Sequence, residues 1–241
     1  MVKEMGNLNL HPNNTNIMQI HKENYFRIVK ELQKAKTTLV AVSKTKSVEA
    51  IRELYELGQR DFGENYVQEL TEKQARLPQD IHWHFIGHLQ SNKVKYIASF
   101  VHLIHGIDSF KLLKEVNRQA EKHKRIIHVL LQVHIAREET KFGLNEEELA
   151  ALLDTKSNPE LLQLNHIRIT GLMGMASFTQ NRETVRNELR YLKTLFDKYA
   201  PCQTANCHLR ILSMGMSGDY LIALEEGSNM VRIGSLLFGS R

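Results

Sequence analysis

The stretch LVAVSKTKS, residues 39–47, decides the interpretation of the fold. It begins with four apolar residues, Leu39 to Val42, and a short apolar run with β-branched residues predicts a buried strand. SVEAIRELYELG, residues 47–58, follows with helical apolar spacing, a serine suited to cap its start and a glycine suited to end it. A strand, a loop with two lysines and a helix therefore form the first structural unit.

The two lysines of this loop, Lys44 and Lys46, allow two interpretations. In the first, the strand reaches solvent and the lysines only mark its end. In the second, one lysine faces a cavity, where a desolvated amine can act as a nucleophile. The segment by itself does not exclude either interpretation, so the rest of the chain has to decide between them.

The same alternation of strand and helix continues to the end of the chain. Seven further strands, some with the loop that follows them, are predicted at residues 59–65, 81–87, 101–108, 126–135, 167–175, 208–217 and 229–239. Helical segments after the first seven strands imply parallel pairing, and eight such strands predict a single closed (β/α)8 TIM barrel. A doubly wound open sheet is the alternative.

One domain over residues 1–241 is expected, because no linker-like change of composition divides the chain. Residues 1–14 are polar and rich in asparagine, which predicts flexibility. Residues 15–35 have the apolar spacing of an extra N-terminal helix, which could fill the outer position that the last strand leaves empty.

Composition favours a protein that binds small anions, with the cytoplasm as the default location and an organelle reached through a removed address as the alternative. Lysines and arginines exceed acidic residues by five, an excess that favours phosphates or carboxylates and is too diffuse to indicate nucleic-acid binding. Two cysteines, Cys202 and Cys207, are typical of a reducing compartment, and we propose no role for them. The N-terminus lacks a secretory pattern, and no apolar run reaches the roughly 18 residues of a membrane span. The twelve histidines are scattered, so no metal site is predicted.

The loops after the last two strands predict a phosphate site, if the fold is a barrel. SMGMSGD, residues 213–219, leads into a helix, and RIGS, residues 232–235, ends a strand. Small residues let backbone N–H groups approach an anion, and serine hydroxyls add donors. Ser217, Gly234 and Ser235 are the predicted cup, with Met214 at the end of the preceding strand. The alternative is that these residues only form turns.

Arg232 and His84 are polar residues on otherwise apolar strands. A buried arginine needs a partner, which could be a structural ion pair or an anion or ring nitrogen at the barrel mouth. Period-two alternation places His82, His84 and Ile86 on one face of their strand. If that face points inwards, His84 lines the pocket; otherwise it is a hydrogen-bonded histidine of the barrel wall.

A phosphate cup opposite Lys44 predicts a ligand that carries both a carbonyl and a phosphate. Pyridoxal 5'-phosphate (PLP) has an aldehyde and a phosphate on one ring. A sugar phosphate bound by an aldolase through a Schiff base also satisfies the pattern. The residue types do not distinguish between these two ligands.

Six motifs in order carry a resemblance to a known family. They are AVSKTK (41–46), FGENYVQE (62–69), HFIGHLQSNK (84–93), GLMGM (171–175), LSMGMSGD (212–219) and MVRIGSLLFG (230–239). The chain resembles the pyridoxal phosphate homeostasis protein family, also described as proline synthase co-transcribed homologues. The resemblance covers nearly all of the chain after the N-terminal helix, and implies a barrel like the N-terminal domain of alanine racemase.

The resemblance also implies roles for individual residues. It implies that Lys44 holds PLP as a Schiff base, with Ser217, Gly234 and Ser235 at the phosphate. Arg232 is expected near the pyridine nitrogen, and the remaining implied cofactor-binding residues are Asn65, His84 and Met214. Most relatives have threonine where this chain has Ser235, and the hydroxyl is kept. The segment 176–183 departs from the family pattern, so no role is carried over to it.

The family implies PLP (vitamin B6) homeostasis, in which the protein is a carrier or buffer without established catalysis. Alanine racemases add a β-rich domain that supplies a tyrosine acid/base, whereas this sequence stops at Arg241, directly after the last strand. We therefore expect no catalytic residue and no enzyme activity. The alternative is a weak PLP-dependent amino-acid racemase or a related PLP enzyme.

A third class, a basic module that binds nucleic acid or a protein partner, is disfavoured because acids are interspersed with the lysines. Expected partners are PLP and PLP-dependent apo-enzymes, not nucleic acid or membrane, for a monomeric protein.

Overall fold

The computed structural model describes residues 20–136, 142–201 and 204–239. The strands are β1 (Thr38–Val42), β2 (Asp61–Glu64), β3 (His82–Phe85), β4 (Leu103–Ile107), β5 (Ile127–Gln132), β6 (Ile167–Met173), β7 (Cys207–Ser213) and β8 (Met230–Ile233). The helices are α1 (Lys22–Lys34), α2 (Val48–Glu56), α3 (Val67–Arg76), α4 (Val94–Ile97), α5 (Phe110–Lys122), α6 (Glu146–Leu153), α7 (Arg182–Tyr199), α8 (Tyr220–Glu225) and α9 (Ser235–Phe238). None of the helices in these ranges combines the length and apolar character that crossing a membrane requires.

The eight strands form a closed barrel in which each strand is parallel to its neighbours. Closure is made by β1, which pairs Ala41 with Phe62 of β2 on one side and with Ile233 of β8 on the other. The predicted (β/α)8 barrel is confirmed, and the open doubly wound sheet is excluded because that sheet would leave two edges unpaired.

Two apolar layers hold the barrel together. A small inner cluster of buried side chains fills the barrel itself: Val40, Leu103, Leu130, Met173 and Met230. The main cluster packs between the strands and the surrounding helices, with members such as Phe62, Trp83 and Phe85. Residues of β2 and β3 therefore alternate between an outer apolar face and an inner face that carries Asp61, Gly63 and His84.

Local capping signals set the first helix after the lysine loop. The Ser47 hydroxyl accepts a hydrogen bond from Ala50 N at 3.1 Å, which satisfies one amide of the first turn. Gly58 follows the helix with a φ of 103°, in the left-handed region that glycine adopts without strain. The predicted start and end of this helix are therefore correct to within two residues.

Strand eight and two helices differ from the predicted segments. The strand predicted for 229–239 ends at Ile233, and the apolar residues after it form α9. The helical segment predicted between the third and fourth strands is a short 3-10 turn (Ser91–Lys93) followed by α4. Of the helix predicted for 15–35, residues 15–19 lie outside the described residues and α1 begins at Lys22. The segment 1–14, predicted to be flexible, also lies outside them.

Helix α1 lies against α9, next to the point where the barrel closes. His21 N donates to Leu237 O at 2.8 Å, and the Asn24 side chain donates to Leu236 O at 3.1 Å. These contacts explain why α1 starts late, since the residue before it is engaged with the last helix. The N-terminal helix thus lies beside the end of strand eight, as the sequence suggested.

Candidate functional site

Five of the predicted site residues lie at the carboxyl-terminal mouth of the barrel: Lys44, Asn65, Ser217, Gly234 and Ser235. Lys44 follows β1, Asn65 follows β2, and Ser217 lies in the loop after β7. Gly234 and Ser235 follow β8, which pairs directly with β1. A Cβ atom placed on Gly234 would lie 3.2 Å from Val42 O, so this turn is in close contact with the strand that precedes the lysine loop.

Lys46 is buried and has a structural role. Its ammonium donates to Phe238 O at 3.2 Å and to Gly239 O at 3.3 Å. Lys46 therefore links the first loop of the barrel to the last described helix. Lys44, the other lysine of this loop, is half-buried.

A buried polar cluster, which we call the loop clamp, holds the backbone on both sides of the half-buried lysine. Ser43 Oγ donates to Glu64 Oε1 at 2.6 Å, and Lys73 Nζ donates to Ser43 O at 2.7 Å. Lys73 Nζ also binds Glu64 Oε1 at 2.8 Å and Glu69 Oε1 at 2.7 Å. Thr45 N completes the clamp by donating to Glu69 Oε1 at 2.5 Å. Thr45 has a φ of 63°, a conformation that this bonding stabilises.

Two buried oxygens at this end of β2 have no hydrogen-bond donor among the described residues: Glu64 Oε2 and Asn65 Oδ1. Burial raises the pKa of Glu64, although Lys73 and the Ser43 hydroxyl act in the opposite direction. A buried unsatisfied acceptor costs free energy, so the unsatisfied oxygen of Asn65 favours a ligand at this position.

The loops after β7 and β8 are joined by a hydrogen bond from Gly234 N to Ser217 Oγ at 3.2 Å. Gly215 supports this arrangement with a φ of 96°, and a Cβ atom there would lie 2.6 Å from Ala223 Cβ. Ser235 is exposed at the start of α9, and the first amides of a helix have no partner within it. The predicted cup residues are therefore brought together.

Arg232 is buried inside the barrel, with 4% of its surface exposed. One guanidinium nitrogen donates to Ser213 O at 2.8 Å and to Ser213 Oγ at 2.6 Å, and the other donates to Gly174 O at 2.9 Å. Burial lowers the pKa of Arg232 to about 10, while the negative charge of Asp219 opposes that shift. The guanidinium thus stays cationic near neutral pH and is fixed in orientation.

Arg232 is one end of a hydrogen-bonded chain, which we call the barrel relay. Ser213 Oγ lies 3.1 Å from His105 Nδ1, and His105 Nε2 lies 2.9 Å from His84 Nδ1. His84 Nε2 lies 2.9 Å from Asp61 Oδ1. Strands β4 and β7 are not neighbours, so His105 and Ser213 meet across the barrel interior.

Burial lowers the pKa of His105 well below its usual range, and His84 and Arg232 add to this effect. A neutral His105 has one N–H, so the chemistry of the two ends sets its direction. Arginine can only donate and the ionised carboxylate of Asp61 can only accept. With a single proton on each imidazole, every hydrogen bond of the barrel relay is directed from Arg232 towards Asp61.

Two predicted site residues lie away from the mouth. Met214 is fully buried in the outer apolar cluster between strands and helices. His84 faces the barrel interior, as predicted, yet its partners are Asp61 and His105. His84 is thus connected to Arg232 through the barrel relay and is fixed at depth. Contact of either residue with a cofactor stays a prediction.

Sequence reasoning missed several residues that support the site: Asp61, Lys73, His105 and Ser213. Lys73 could have been found from helical spacing, because it lies three residues after the buried Leu70 and four after Glu69. His105 could have been found from period-two alternation with the inward-facing Leu103. The partner of each residue comes from a distant segment and has no local signal.

A groove of about 590 Å³ adjoins the mouth on the side of Asn65. Aromatic residues border it, including Tyr66, Phe85 and Tyr96, and Lys93 adds a positive charge. The side of the mouth that carries the unsatisfied Asn65 oxygen is therefore open to solvent.

Comparison of the sequence with known proteins finds a matching family model and relatives that share one name. Residues 19–241 match the family model for the alanine racemase N-terminal domain. Over 204 residues, the chain is 42% identical to a pyridoxal phosphate homeostasis protein from Aquifex aeolicus, covering 84% of this chain and 86% of the relative. A Schizosaccharomyces pombe protein of the same name is 40% identical over 205 residues, covering 84% of each chain.

Solved structures give the same result. PipY from Synechococcus elongatus PCC7942, solved with PLP bound, has a TM-score of 0.80 and 35% identity, covering 90% of this chain and 99% of PipY. Alanine racemase from Bartonella henselae shares the fold, with a TM-score of 0.64 and 17% identity. That comparison covers 89% of this chain and 58% of the racemase. The chain therefore belongs to the pyridoxal phosphate homeostasis protein family, within the wider family of alanine racemase N-terminal domains.

Proposed function

We propose that this chain binds PLP at the carboxyl-terminal mouth of its barrel and acts in the cytoplasm as a carrier that buffers the cofactor. The observation that carries the proposal is the close contact between two features of the mouth. The turn at Gly234, next to Ser217, lies against the strand that leads to Lys44. An amine and an anion-binding turn are thus neighbours, as an aldehyde with a phosphate group requires.

The phosphate is proposed to lie between Ser217 and the first turn of α9. The Ser217 hydroxyl, which accepts from Gly234 N, and the Ser235 hydroxyl are donors at this position, and the first amides of α9 are unpaired within the helix. Glycine fits position 234 because a Cβ atom there would lie 3.2 Å from Val42 O, on the strand that leads to Lys44. Asn65 would use its unsatisfied oxygen, or its amide group, on a polar substituent of the ring.

Arg232 is proposed to face the pyridine nitrogen, because its guanidinium is fixed inside the barrel. The ring nitrogen would then have an arginine beside it, and not a carboxylate. PLP supplies an electron sink when its ring nitrogen is protonated. A guanidinium only donates hydrogen bonds, so the ring nitrogen beside it would act as the acceptor and stay unprotonated. Such a site holds the cofactor while giving little support to transamination.

Lys44 is the proposed covalent anchor. Condensation of its amine with the PLP aldehyde would form a Schiff base and release one water molecule. The backbone on both sides of Lys44 is held by the loop clamp, which fixes the point from which its side chain extends. Lys46 is a poor alternative, because its ammonium is buried against two carbonyl oxygens.

The test is borohydride reduction of the PLP-loaded protein, followed by peptide mass spectrometry. We expect a pyridoxyl group on Lys44 in the wild type and in Lys46→Ala, and no adduct in Lys44→Ala. Lys46→Ala is the matched control, since it removes an amine two residues away. A label on Lys46, or an unlabelled wild type with no visible absorbance after PLP is added, would overturn the assignment.

A weak amino-acid racemase is the second candidate, because the barrel is shared with alanine racemases. Incubation of PLP-loaded protein with D- or L-alanine in deuterated water separates the two functions. A carrier gives no more exchange of the α-proton than free PLP does, whereas an enzyme exceeds that rate. Transfer to a PLP-dependent apo-enzyme, followed as recovery of that enzyme's activity, tests the carrier role directly. Size-exclusion chromatography with light scattering tests the monomer that we propose.

A further inference from the structure

A second cluster of polar side chains lies at the amino-terminal end of the barrel, opposite the mouth. Asp61 is the first residue of β2, His82 is the first residue of β3, and His102 immediately precedes β4. His84 lies deeper on the same face of β3. One potential ligand atom from each of Asp61, His84 and His102 lies within 4.8 Å of the other two.

The geometry of this cluster is compact. Asp61 Oδ1 lies 2.9 Å from His84 Nε2 and 3.3 Å from His82 Nδ1. The rings of His82 and His102 are stacked with their centroids 4.4 Å apart. Three imidazoles and one carboxylate therefore share a small volume that draws on three successive strands.

We propose that Asp61, His84 and His102 bind a divalent transition-metal ion of the zinc class. Imidazole nitrogen and carboxylate oxygen are the donors that such ions take, and three protein ligands leave a fourth position for water or His82. The ligands differ in burial: His84 is buried, Asp61 is half-buried and His102 is exposed. An ion can thus reach the site from solvent and meet a fixed ligand at its base.

The support that a metal-binding histidine needs is already present. Such a histidine uses one ring nitrogen on the metal and the other on a hydrogen-bonded partner that fixes its tautomer. His84 Nε2 faces Asp61, and His84 Nδ1 is 2.9 Å from His105 Nε2. His105 is held in turn by Ser213. The barrel relay therefore provides an ordered outer shell for the metal site.

Metal binding would reverse the part of the relay that connects the two histidines. A metal on His84 Nε2 moves the ring proton to Nδ1, which then donates to His105 Nε2. His105 must carry its own proton on Nδ1 and donate to Ser213 Oγ, which already accepts from Arg232. A serine oxygen accepts two hydrogen bonds, so both donors can be satisfied, and the Ser213 O–H must then turn away from His105.

The first experiment is calorimetric titration of Zn²⁺ into the protein prepared without PLP. We expect one site in the wild type and an affinity at least about tenfold lower in His102→Ala, because even the loss of an outer-shell partner has effects of that size. The surface variant His123→Ala is the matched control and should bind like the wild type. Equal affinities in all three proteins, or no binding, would overturn the site.

Two further readouts keep the proposal testable if His102→Ala folds poorly. Co²⁺ bound at the site should give ligand-field absorbance without the intense band of sulfur ligation, which excludes the cysteines. In protein labelled with ¹⁵N-histidine, Zn²⁺ should move the His105 proton from Nε2 to Nδ1. A sulfur band would contradict the ligand set, and an unchanged His105 tautomer would contradict coordination through His84 Nε2.

Discussion

Lys73 and Glu64 form an ion pair from which solvent is excluded. Their Nζ and Oε1 atoms are 2.8 Å apart, and 6% of the Lys73 side chain and none of the Glu64 side chain is exposed. Such a pair contributes little compared with two apolar residues, but removal of one partner leaves a buried charge without compensation. In this barrel the pair also holds Ser43, next to Lys44, so its loss should displace the loop that carries Lys44.

Replacing the buried lysine should therefore be costly. In Lys73→Met, Glu64 and Glu69 lose their shared cation, and we expect the free energy of unfolding to fall by about 3–5 kcal/mol. Urea denaturation of the PLP-free protein measures this change. PLP affinity should fall as well, because the clamp no longer holds the backbone beside Lys44.

The exposed pair of Lys198 and Glu146 is the control for this substitution, with a distance of 2.7 Å. Lys198→Met should change the free energy of unfolding by less than about 1 kcal/mol, as expected of a surface pair. If Lys73→Met and Lys198→Met lower the free energy of unfolding by similar amounts, burial does not make the Lys73 pair more important for stability.

The stability of the wild type relative to Glu64→Gln should decrease as the pH rises. Burial raises the pKa of Glu64 above the ordinary value of 4.5, against the opposing effects of Lys73 and Ser43 and with a small contribution from Glu69. The folded state keeps a proton that the unfolded state has already lost, so the contribution is fully present below about pH 4.5 and is lost above it. The slope cannot exceed about 1.4 kcal/mol per pH unit. Parallel urea titrations of both proteins at several pH values measure the slope. A wild type that becomes more stable relative to Glu64→Gln as the pH rises would contradict the expected sign.

Gly87 is required by the close approach of two backbones. A Cβ atom there would lie 2.3 Å from Asn65 O and 2.8 Å from Asn65 Cα. Gly87→Ala must therefore displace Asn65, and we expect a loss of about 1–3 kcal/mol, as for other overpacked positions. Thermal unfolding measures the effect. Gly218→Ala is the control, since nothing lies within 4 Å of its added Cβ, and its melting temperature should stay close to that of the wild type.

Arg232→Lys should not preserve the function of the arginine. One ammonium cannot reach Ser213 and Gly174 in the way that two guanidinium nitrogens do, so a buried carbonyl loses its donor at a cost of about 1–3 kcal/mol. We expect at least about a tenfold loss of PLP affinity, which corresponds to 1.4 kcal/mol. Fluorescence titration with PLP measures it, with Arg168→Lys at the other end of the barrel as the control. Equal affinity in both variants would remove Arg232 from the site.

The barrel was predictable because its signals are local and repeated. Ser47 and Gly58 mark the first helix, and apolar runs mark the strands. The end of β8 was not predictable, because the apolar residues of α9 continue the apolar pattern of the strand, and the helix that packs against them, α1, is distant in sequence.

The mouth was predictable to the extent that its residues follow strands. Lys44, Asn65 and Ser217 meet because parallel strands end on the same side. The role of Lys73 was hidden, since its partner Ser43 is 30 residues away and a helical lysine is usually exposed. The relay was hidden for a similar reason, because His105 and Ser213 are 108 residues apart and meet only when the barrel closes.

The different environments of Lys44 and Lys46 have a consequence for regiochemistry. An aldehyde that enters the mouth meets two amines two residues apart, and one of them is buried with its ammonium on the carbonyls of Phe238 and Gly239. We therefore expect an aldehyde to modify Lys44 alone, so that the product is one species of defined stoichiometry instead of a mixture of isomers. On this expectation, the contact that ties the first loop of the barrel to α9 also protects Lys46 from the aldehyde.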